Sequence, residues 1–116
     1  MTVEELVRSA ALTAFSMPNP QWTVTGGYAG DLLSWVIGRA EAGSAWLTIM
    51  SNQNVAAVAL MSDVACVILT EGVTPDPLLL ERAIQQEVNL LGSERSTFSM
   101  AAELSRLLDG QTGTGK

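Results

Sequence analysis

The run Ala-Cys-Val-Ile-Leu at residues 65–69 constrains the fold more than any other part of the chain. It is apolar at every position and short, which predicts a strand buried on both faces of a sheet. Residues 45–50, Ala-Trp-Leu-Thr-Ile-Met, follow nearly the same pattern. Segments of helical character separate these predicted strands. We therefore expect an α/β domain with a mostly parallel sheet of about four or five strands and right-handed crossovers.

Capping and turn residues predict where the other helices and strands begin and end. Thr2 and Glu5 form the pattern of a capping box, and Asp76 followed by Pro77 is typical of a helix start. The further predicted strands are residues 11–15, residues 22–25 and a short edge strand at residues 89–91. The further predicted helices are residues 32–39, in which Leu32, Leu33, Val36 and Ile37 are expected to be buried, residues 53–61 capped by Asn52, residues 77–87, and a last helix capped by Ser96 or Thr97.

Residues 24–34, Val-Thr-Gly-Gly-Tyr-Ala-Gly-Asp-Leu-Leu-Ser, are predicted to contain a strand end, a glycine turn and a helix start. Gly26 and Gly27 can take positive φ at little cost, so the chain can turn sharply there. Asp31 suits the N-cap of the following helix. A turn of this kind often holds a phosphate. The Asp31 carboxylate would repel a second anion, which favours a purely structural turn.

The sequence Thr25-Gly26-Gly27-Tyr28, together with residues 30–34 and 53–59, resembles the DRTGG domain over roughly residues 2–108. The resemblance implies a three-layer α/β/α sandwich, similar to the N-terminal domain of HPr kinase/phosphorylase and to domains between the CBS modules of some pyrophosphatases. Thr23 and Val24 stand where the motif has Asp and Arg. The resemblance also implies a regulatory, dimer-forming module. Similar stand-alone chains are often encoded beside hydrogenase or redox-complex subunits, which makes such an assembly a possible partner.

Composition narrows the classes of partner. The chain of 116 residues is expected to form one domain over residues 1–109, followed by a flexible tail at residues 110–116. Its net charge of −6 makes nucleic acid and anionic membranes poor partners. No stretch is long and apolar enough to span a bilayer, no signal peptide is recognised, and the single cysteine indicates the reducing cytoplasm.

The sequence contains few residues of the types that catalyse reactions or bind metals. The chain has no histidine, so its serines have no histidine base, and no spacing of residues indicates metal ligands. Cys66 is expected to be a buried, inert thiol. We therefore predict no catalytic residue, no metal and no cofactor.

The tail, Gly-Gln-Thr-Gly-Thr-Gly-Lys at residues 110–116, matches the first seven positions of a P-loop. A P-loop needs a strand before it and a helix behind it. A helix is predicted before this segment and the sequence given stops at Lys116, so a flexible tail is favoured. A truncated kinase-like protein is the remaining alternative.

The loops that follow parallel strands meet at one edge of a sheet, where open α/β sheets bind ligands. The candidate ligand residues on these loops are Gly26, Gly27, Tyr28, Asn52, Asn54, Arg95 and Ser96. Arg95 is the only cation among them and would hold a small anion, such as a nucleotide. The alternative is that Asn52 and Ser96 only cap helices.

Charged residues make up 16% of the chain, so little polar material is available to cover the surface of a small domain. We expect Trp35 to face outward from the helix at residues 32–39 and, with Leu32, to form a two-fold dimer contact. The function that we predict is a non-catalytic regulatory or protein-interaction module, either a homodimer or an accessory subunit of a larger, possibly redox, assembly. The alternative is a sensor that binds a nucleotide or another anion at the sheet edge.

Overall fold

The computed structural model describes residues 1–112 and forms one mixed five-stranded sheet flanked by helices. In chain order the elements are α1 (Val3–Ser9), β1 (Thr13–Ser16), β2 (Gly26–Ala29), α2 (Leu33–Arg39), β3 (Ser44–Thr48), α3 (Asn54–Ser62), β4 (Cys66–Leu69), α4 (Pro77–Gln85), β5 (Leu90–Gly92) and α5 (Thr97–Thr112). The strand order is β1-β5-β4-β3-β2, and only β1 runs antiparallel to its neighbour. The predicted α/β class and the mostly parallel sheet are confirmed.

Helices cover both faces of the sheet. On one face α1 and α5 pack on a core that includes Leu6, Ile68 and Met100. On the other face α2, α3 and α4 pack on a core around Trp46 and Leu79. Strands β3 and β4 are buried at every position, because each contributes side chains to both cores. This is the three-layer arrangement that the family resemblance implies.

Local sequence explains where several helices begin. The capping box is present, since the Glu5 amide donates to Thr2 Oγ1 at 3.1 Å and the Thr2 amide donates to Glu5 Oε1 at 2.8 Å. Helix α4 begins with Pro77 after Asp76, as predicted. Ser96 caps α5, because its Oγ accepts from the Ser99 amide at 3.1 Å.

Two predicted strands are wrong in position. Residues 22–25 form no strand, and residues 26–29 do, so Gly26 and Gly27 lie inside edge strand β2 rather than in a turn. Strand β5 covers residues 90–92 and lies between β1 and β4, not at the edge of the sheet. The first strand begins two residues later than expected, at Thr13.

Helix α2 differs from the prediction at its start and in its burial. Its N-cap is Leu32, which makes no side-chain cap bond, so the assignment of Asp31 as N-cap is wrong. Leu32 and Ile37 are exposed, whereas Val36 is fully buried. Leu33 is partly buried and packs against the same core as Val36. The short helix therefore buries one narrow stripe, and Leu32, Trp35 and Ile37 face outward.

The C-terminal helix is longer than the sequence predicts. Helix α5 continues to Thr112, so Gly110 is helical and the segment before it is not a strand. This geometry does not fit a P-loop, which follows a strand. Lys116 and the rest of the predicted flexible tail beyond residue 112 lie outside the described residues.

Candidate functional site

A groove lies between edge strand β2 and helix α5. Its volume is about 430 Å³, which is within the range of small-molecule sites. The lining residues come from β2 and the residue before it, from β3 and from one face of α5: Thr25, Gly27, Tyr28, Ala29, Leu47, Ala101, Leu104, Ser105, Leu108 and Asp109. The floor is apolar, and hydroxyl and carboxylate groups lie at the rim.

Glycine sets the depth of this groove. A Cβ added to Gly27 would lie 2.6 Å from Leu104 Cδ2, so α5 packs on the bare backbone of β2. Tyr28 has the opposite environment. Its ring packs with the core under α2 and lies 3.0 Å from the place of a Cβ on Gly30. The strand therefore alternates between a small residue under α5 and a large one under α2.

Asp31 connects β2 to the end of β3. Its Oδ1 accepts from the Thr48 hydroxyl at 2.8 Å and from the Ile49 amide at 2.9 Å. Thr48 is fully buried, and its hydroxyl also accepts from the Met50 amide at 3.1 Å. The carboxylate therefore fixes the turn after β3 instead of capping α2.

The first turn of α5 already has acceptors for its backbone amides. Glu71 Oε2 accepts from the Thr97 amide at 2.8 Å, and Ser96 Oγ accepts from the Ser99 amide. The hydroxyls of Thr70 and Thr97 are 2.6 Å apart. A carboxylate therefore occupies the position at the helix N-terminus that an anionic ligand would take.

The predicted ligand residues separate into several places. Gly27 and Tyr28 line the groove, whereas Asn52 Oδ1 accepts from the Asn54 amide at 2.9 Å and so orders the start of α3. Arg95 is exposed on the β5–α5 loop, and its amide donates to Ser93 Oγ at 3.1 Å. Gly26 does not line the groove; a Cβ there would lie 4.0 Å from Ser44 Oγ. Gly27 and Tyr28 are thus neighbours in β2 that face opposite sides of the sheet, and the other predicted residues lie elsewhere.

Exposed apolar side chains concentrate on the layer of α2, α3 and α4. Helix α3 is apolar at every position from Val55 to Met61 and carries no charged residue. A helix of this kind is usually buried on all sides. The large apolar residues of the layer with 41% to 66% of their surface exposed are Leu32, Trp35, Ile37, Leu60, Met61, Leu78 and Ile84. We call these residues the outer apolar face.

Trp35 faces solvent, as the sequence predicted, with 52% of its surface exposed. The Arg39 guanidinium carbon lies 3.9 Å from the Trp35 ring centroid, which is a cation–π contact. This contact holds the ring against the helix surface. Trp22 is also about half exposed, so of the three tryptophans only Trp46 is a core residue.

Catalytic chemistry finds little support in the described part of the chain. Burial raises the pKa of Cys66 to about 12, so its thiol is protonated and inert at neutral pH. No cluster of three or more cysteine or carboxylate residues with metal-binding geometry occurs within residues 1–112. Over the same residues, no helix is long and apolar enough to cross a membrane.

Sequence reasoning missed Asn89, a buried side chain that makes three hydrogen bonds within the described residues. Its Nδ2 donates to the carbonyl oxygens of Asn19 and Ala65, both at 2.9 Å, and its Oδ1 accepts from the Asn19 amide at 3.0 Å. It fixes the loop around Pro18 and Pro20 against Ala65, the residue before the start of β4. The only sequence signal is an asparagine directly before a strand, which is common in loops.

Comparisons with known proteins agree with this fold. The family model described as the DRTGG domain matches residues 35–107. A solved structure of the CBS and DRTGG domains of the regulatory region of Clostridium perfringens pyrophosphatase, complexed with the activator diadenosine tetraphosphate, superposes with a TM-score of 0.68 at 14% identity. The match covers 92% of this chain and 45% of that one, so this chain spans less than half of its length. Among curated proteins, none matches the sequence.

The family match begins ten residues after Thr25, so the Thr25-Gly26-Gly27 sequence that suggested the resemblance lies outside it. Within the matched residues, Thr70-Glu71-Gly72 comes closest to a Thr-Gly-Gly motif. Glu71 has φ of 61° and Gly72 has φ of 71°, a conformation that two glycines would adopt without strain. This turn follows the central strand β4 and contacts the start of α5.

Proposed function

Because the chain belongs to the DRTGG domain family, we propose that it is a regulatory module that acts by binding another protein and catalyses no reaction of its own. The observation that carries the proposal is the outer apolar face. Seven large apolar side chains in one helix layer are at least 41% exposed, and α3 carries no charge to hold water there. Apolar patches of this kind mark interaction sites.

The outer apolar face suits self-association or an accessory role in a larger assembly. Trp35 and Leu32 are the residues that we propose for a contact between two copies, since an exposed tryptophan is a common anchor of interfaces. The family resemblance supports a hydrogenase or another redox complex as the larger assembly. The single buried cysteine supports a cytoplasmic location. From the family resemblance we also propose that the fold is similar to that of the N-terminal domain of HPr kinase/phosphorylase.

Recovery of partners with a matched pair of variants tests the protein-binding function. Met61 is 66% exposed on α3, and Ala102 is exposed on α5, in the opposite helix layer. We expect Met61→Lys to abolish recovery of the partner from the native cells, and Ala102→Lys to retain it. A partner that both variants retain would exclude α3 from the interface.

A second function, ligand sensing, is favoured by the groove between β2 and α5. The structural neighbour from Clostridium perfringens was solved with a nucleotide activator, which makes adenine nucleotides the first ligands to test. Calorimetry with ATP, AMP and diadenosine tetraphosphate would be run on the wild type, Arg95→Ala and Ser105→Trp. Binding lost only in Ser105→Trp supports the groove; binding lost only in Arg95→Ala supports the loop edge. No heat with any nucleotide would count against this second function.

A further inference from the structure

We propose that the free edge of strand β2 is the surface through which two copies of this chain associate, with the two β2 strands pairing antiparallel across a two-fold axis. The inference rests on the self-association proposed above and adds its geometry. Each five-stranded sheet would then continue into the sheet of its partner. Ten strands in one sheet would leave only the two β1 edges open.

Strand β2 has an unused hydrogen-bonding edge. It pairs with β3 on one side, in register from Gly26 opposite Ser44 to Ala29 opposite Leu47. It is the last strand in the sheet order, and within residues 1–112 no strand pairs with its other side. The outward-facing amides and carbonyls of β2 are therefore available to a second strand.

The two edges of the sheet differ in how they are protected. Strand β1 is irregular, with a register shift between Ala14 and Ser16, and Pro18 follows soon after it. Bulges and prolines are features that prevent edge pairing. Strand β2 has neither, and residues 22–30 contain no charged residue and no proline. The edge at β2 is thus the one that permits pairing.

The distribution of charge along the chain favours a second copy of the same chain as the partner. The chain carries a net charge of −6, so two copies repel each other over most approaches. The repulsion is weakest where the approaching segments are uncharged, and residues 22–30, which include β2, carry no charge. A charged peptide would have no complementary charge to recognise there, whereas an uncharged extended strand fits, and β2 is itself one.

A pair of four-residue strands is too small to hold a dimer, because a stable interface buries about 800 Å² per partner. Elements on both sides of β2 enlarge the contact. Leu32 and Trp35 of α2 are exposed on one face of the sheet next to this edge. On the other face α5 packs on β2 through Leu104, and the groove opens between them. A two-fold axis at β2 would place each α2 beside its counterpart and each groove beside the α5 of the partner.

Light scattering after gel filtration gives the first test, with two identical substitutions at opposite edges. Ala29 on β2 and Ala14 on β1 are both exposed strand alanines. We expect twice the chain mass for the wild type and for Ala14→Glu, and a single chain mass for Ala29→Glu. A single mass for the wild type would overturn the dimer and leave the binding of other proteins to be tested by partner recovery.

A dimer that persists in Ala29→Glu but dissociates in Trp35→Glu would overturn pairing at β2 while retaining the contact through α2. Pairing at β2 would also be overturned if both Ala14→Glu and Ala29→Glu dissociated the dimer, because the loss of the dimer would then not depend on which edge of the sheet carries the glutamate.

Distances between spin labels test the arrangement without disturbing the interface charge. Cys66 is buried, so a label would attach only to an introduced cysteine. In a continuous ten-stranded sheet, the two copies of Ala14→Cys are nine strand spacings apart, on the order of 40 Å. Labels on Ala29→Cys should be less than half as far apart. Equal distances for the two positions, or a shorter distance for Ala14→Cys, would exclude the proposed pairing.

Discussion

Leu104 of α5 occupies the space where a side chain of Gly27 would lie. An ideal Cβ on Gly27 would be 2.6 Å from Leu104 Cδ2, which is closer than two carbon atoms can approach. The requirement for glycine is one of packing, because the glycines with positive φ in the described part of the chain are Gly43 and Gly72. The expectation that Gly27 takes positive φ in a turn is therefore wrong.

We predict that Gly27→Val destabilises the domain by about 1–3 kcal/mol, because the larger side chain forces α5 away from the sheet. Urea denaturation measures the change. Gly38→Ala is the control, since no atom lies within 4 Å of a Cβ at that helical position. This control substitution should raise stability by up to about 1 kcal/mol, because alanine favours helix more than glycine does.

A double variant tests whether Leu104 is the group that clashes with a side chain at residue 27. In the background of Leu104→Ala, the space beside β2 is larger, and Gly27→Val should cost clearly less than it does in the wild type. An equal cost in both backgrounds would show that Leu104 is not the group that excludes a side chain at residue 27.

The sequence predicted the buried strands β3 and β4 and the starts of α1, α4 and α5, because these depend on local patterns. Residues 65–69 are apolar at each position, and strand β4 lies within them. The error at β2 has a physical cause. Gly26 and Gly27 favour turns in isolation, and only the packing of α5, almost eighty residues later in the chain, makes glycine necessary in a strand. Contacts between distant segments leave no periodic signal.

The candidate site was predicted less well than the fold. The rule that loops meet at the carboxyl edge of a parallel sheet correctly placed Asn52 after β3 and Arg95 and Ser96 after β5. It could not show that Asp31 and Glu71 accept hydrogen bonds from the neighbouring loops. The groove depends on the position of α5 over β2, which no local pattern in the sequence specifies.

Asp31 should be important for stability rather than for ligand binding. Its Oδ1 accepts from Thr48 and from the Ile49 amide, so Asp31→Ala leaves both donors without this partner. We expect a loss of about 1–3 kcal/mol in the free energy of unfolding, which is typical for a hydrogen-bonded charged group. Asp31→Asn, which retains an acceptor, should lose less. A fully stable Asp31→Ala would mean that the turn after β3 is held by other contacts.

Cys66 should react with thiol reagents only when the domain unfolds. Its side chain is buried, and burial raises the pKa of the thiol to about 12 from an ordinary value of 9.0. The protonated thiol favours the folded state, so this contribution to stability is complete below about pH 9 and is lost as the pH rises towards 12.

Labelling with a chromogenic disulfide at pH 8 measures the exposure of Cys66. We expect slow labelling that follows the rate of unfolding in urea, and fast labelling of the exposed Ala14→Cys control. Equal rates at the two cysteines in the absence of urea would contradict the burial of Cys66.

Asn89 should be the polar side chain whose replacement costs the most. Its amide group donates to the carbonyl oxygens of Asn19 and Ala65 and accepts from the Asn19 amide, and only 1% of the residue is exposed. Asn89→Asp keeps an acceptor of nearly the same shape but directs a buried carboxylate at two carbonyl oxygens. We expect a loss of about 3–5 kcal/mol at neutral pH, the usual cost of an unpaired buried charge.

The pH dependence of the Asn89→Asp variant separates charge from shape. Repulsion by the carbonyl oxygens favours the protonated carboxyl in the folded state, so the folded protein binds a proton that the unfolded chain releases above about pH 4. The stability of the variant should therefore fall relative to the wild type as the pH rises from about 4, and the two should converge in acid. Asn54→Asp is the control, since this residue is exposed in the first turn of α3, where a negative charge is favourable. A difference between Asn89→Asp and the wild type that stays constant from pH 4 to pH 8 would show that the lost donors, rather than the new charge, cause the destabilisation.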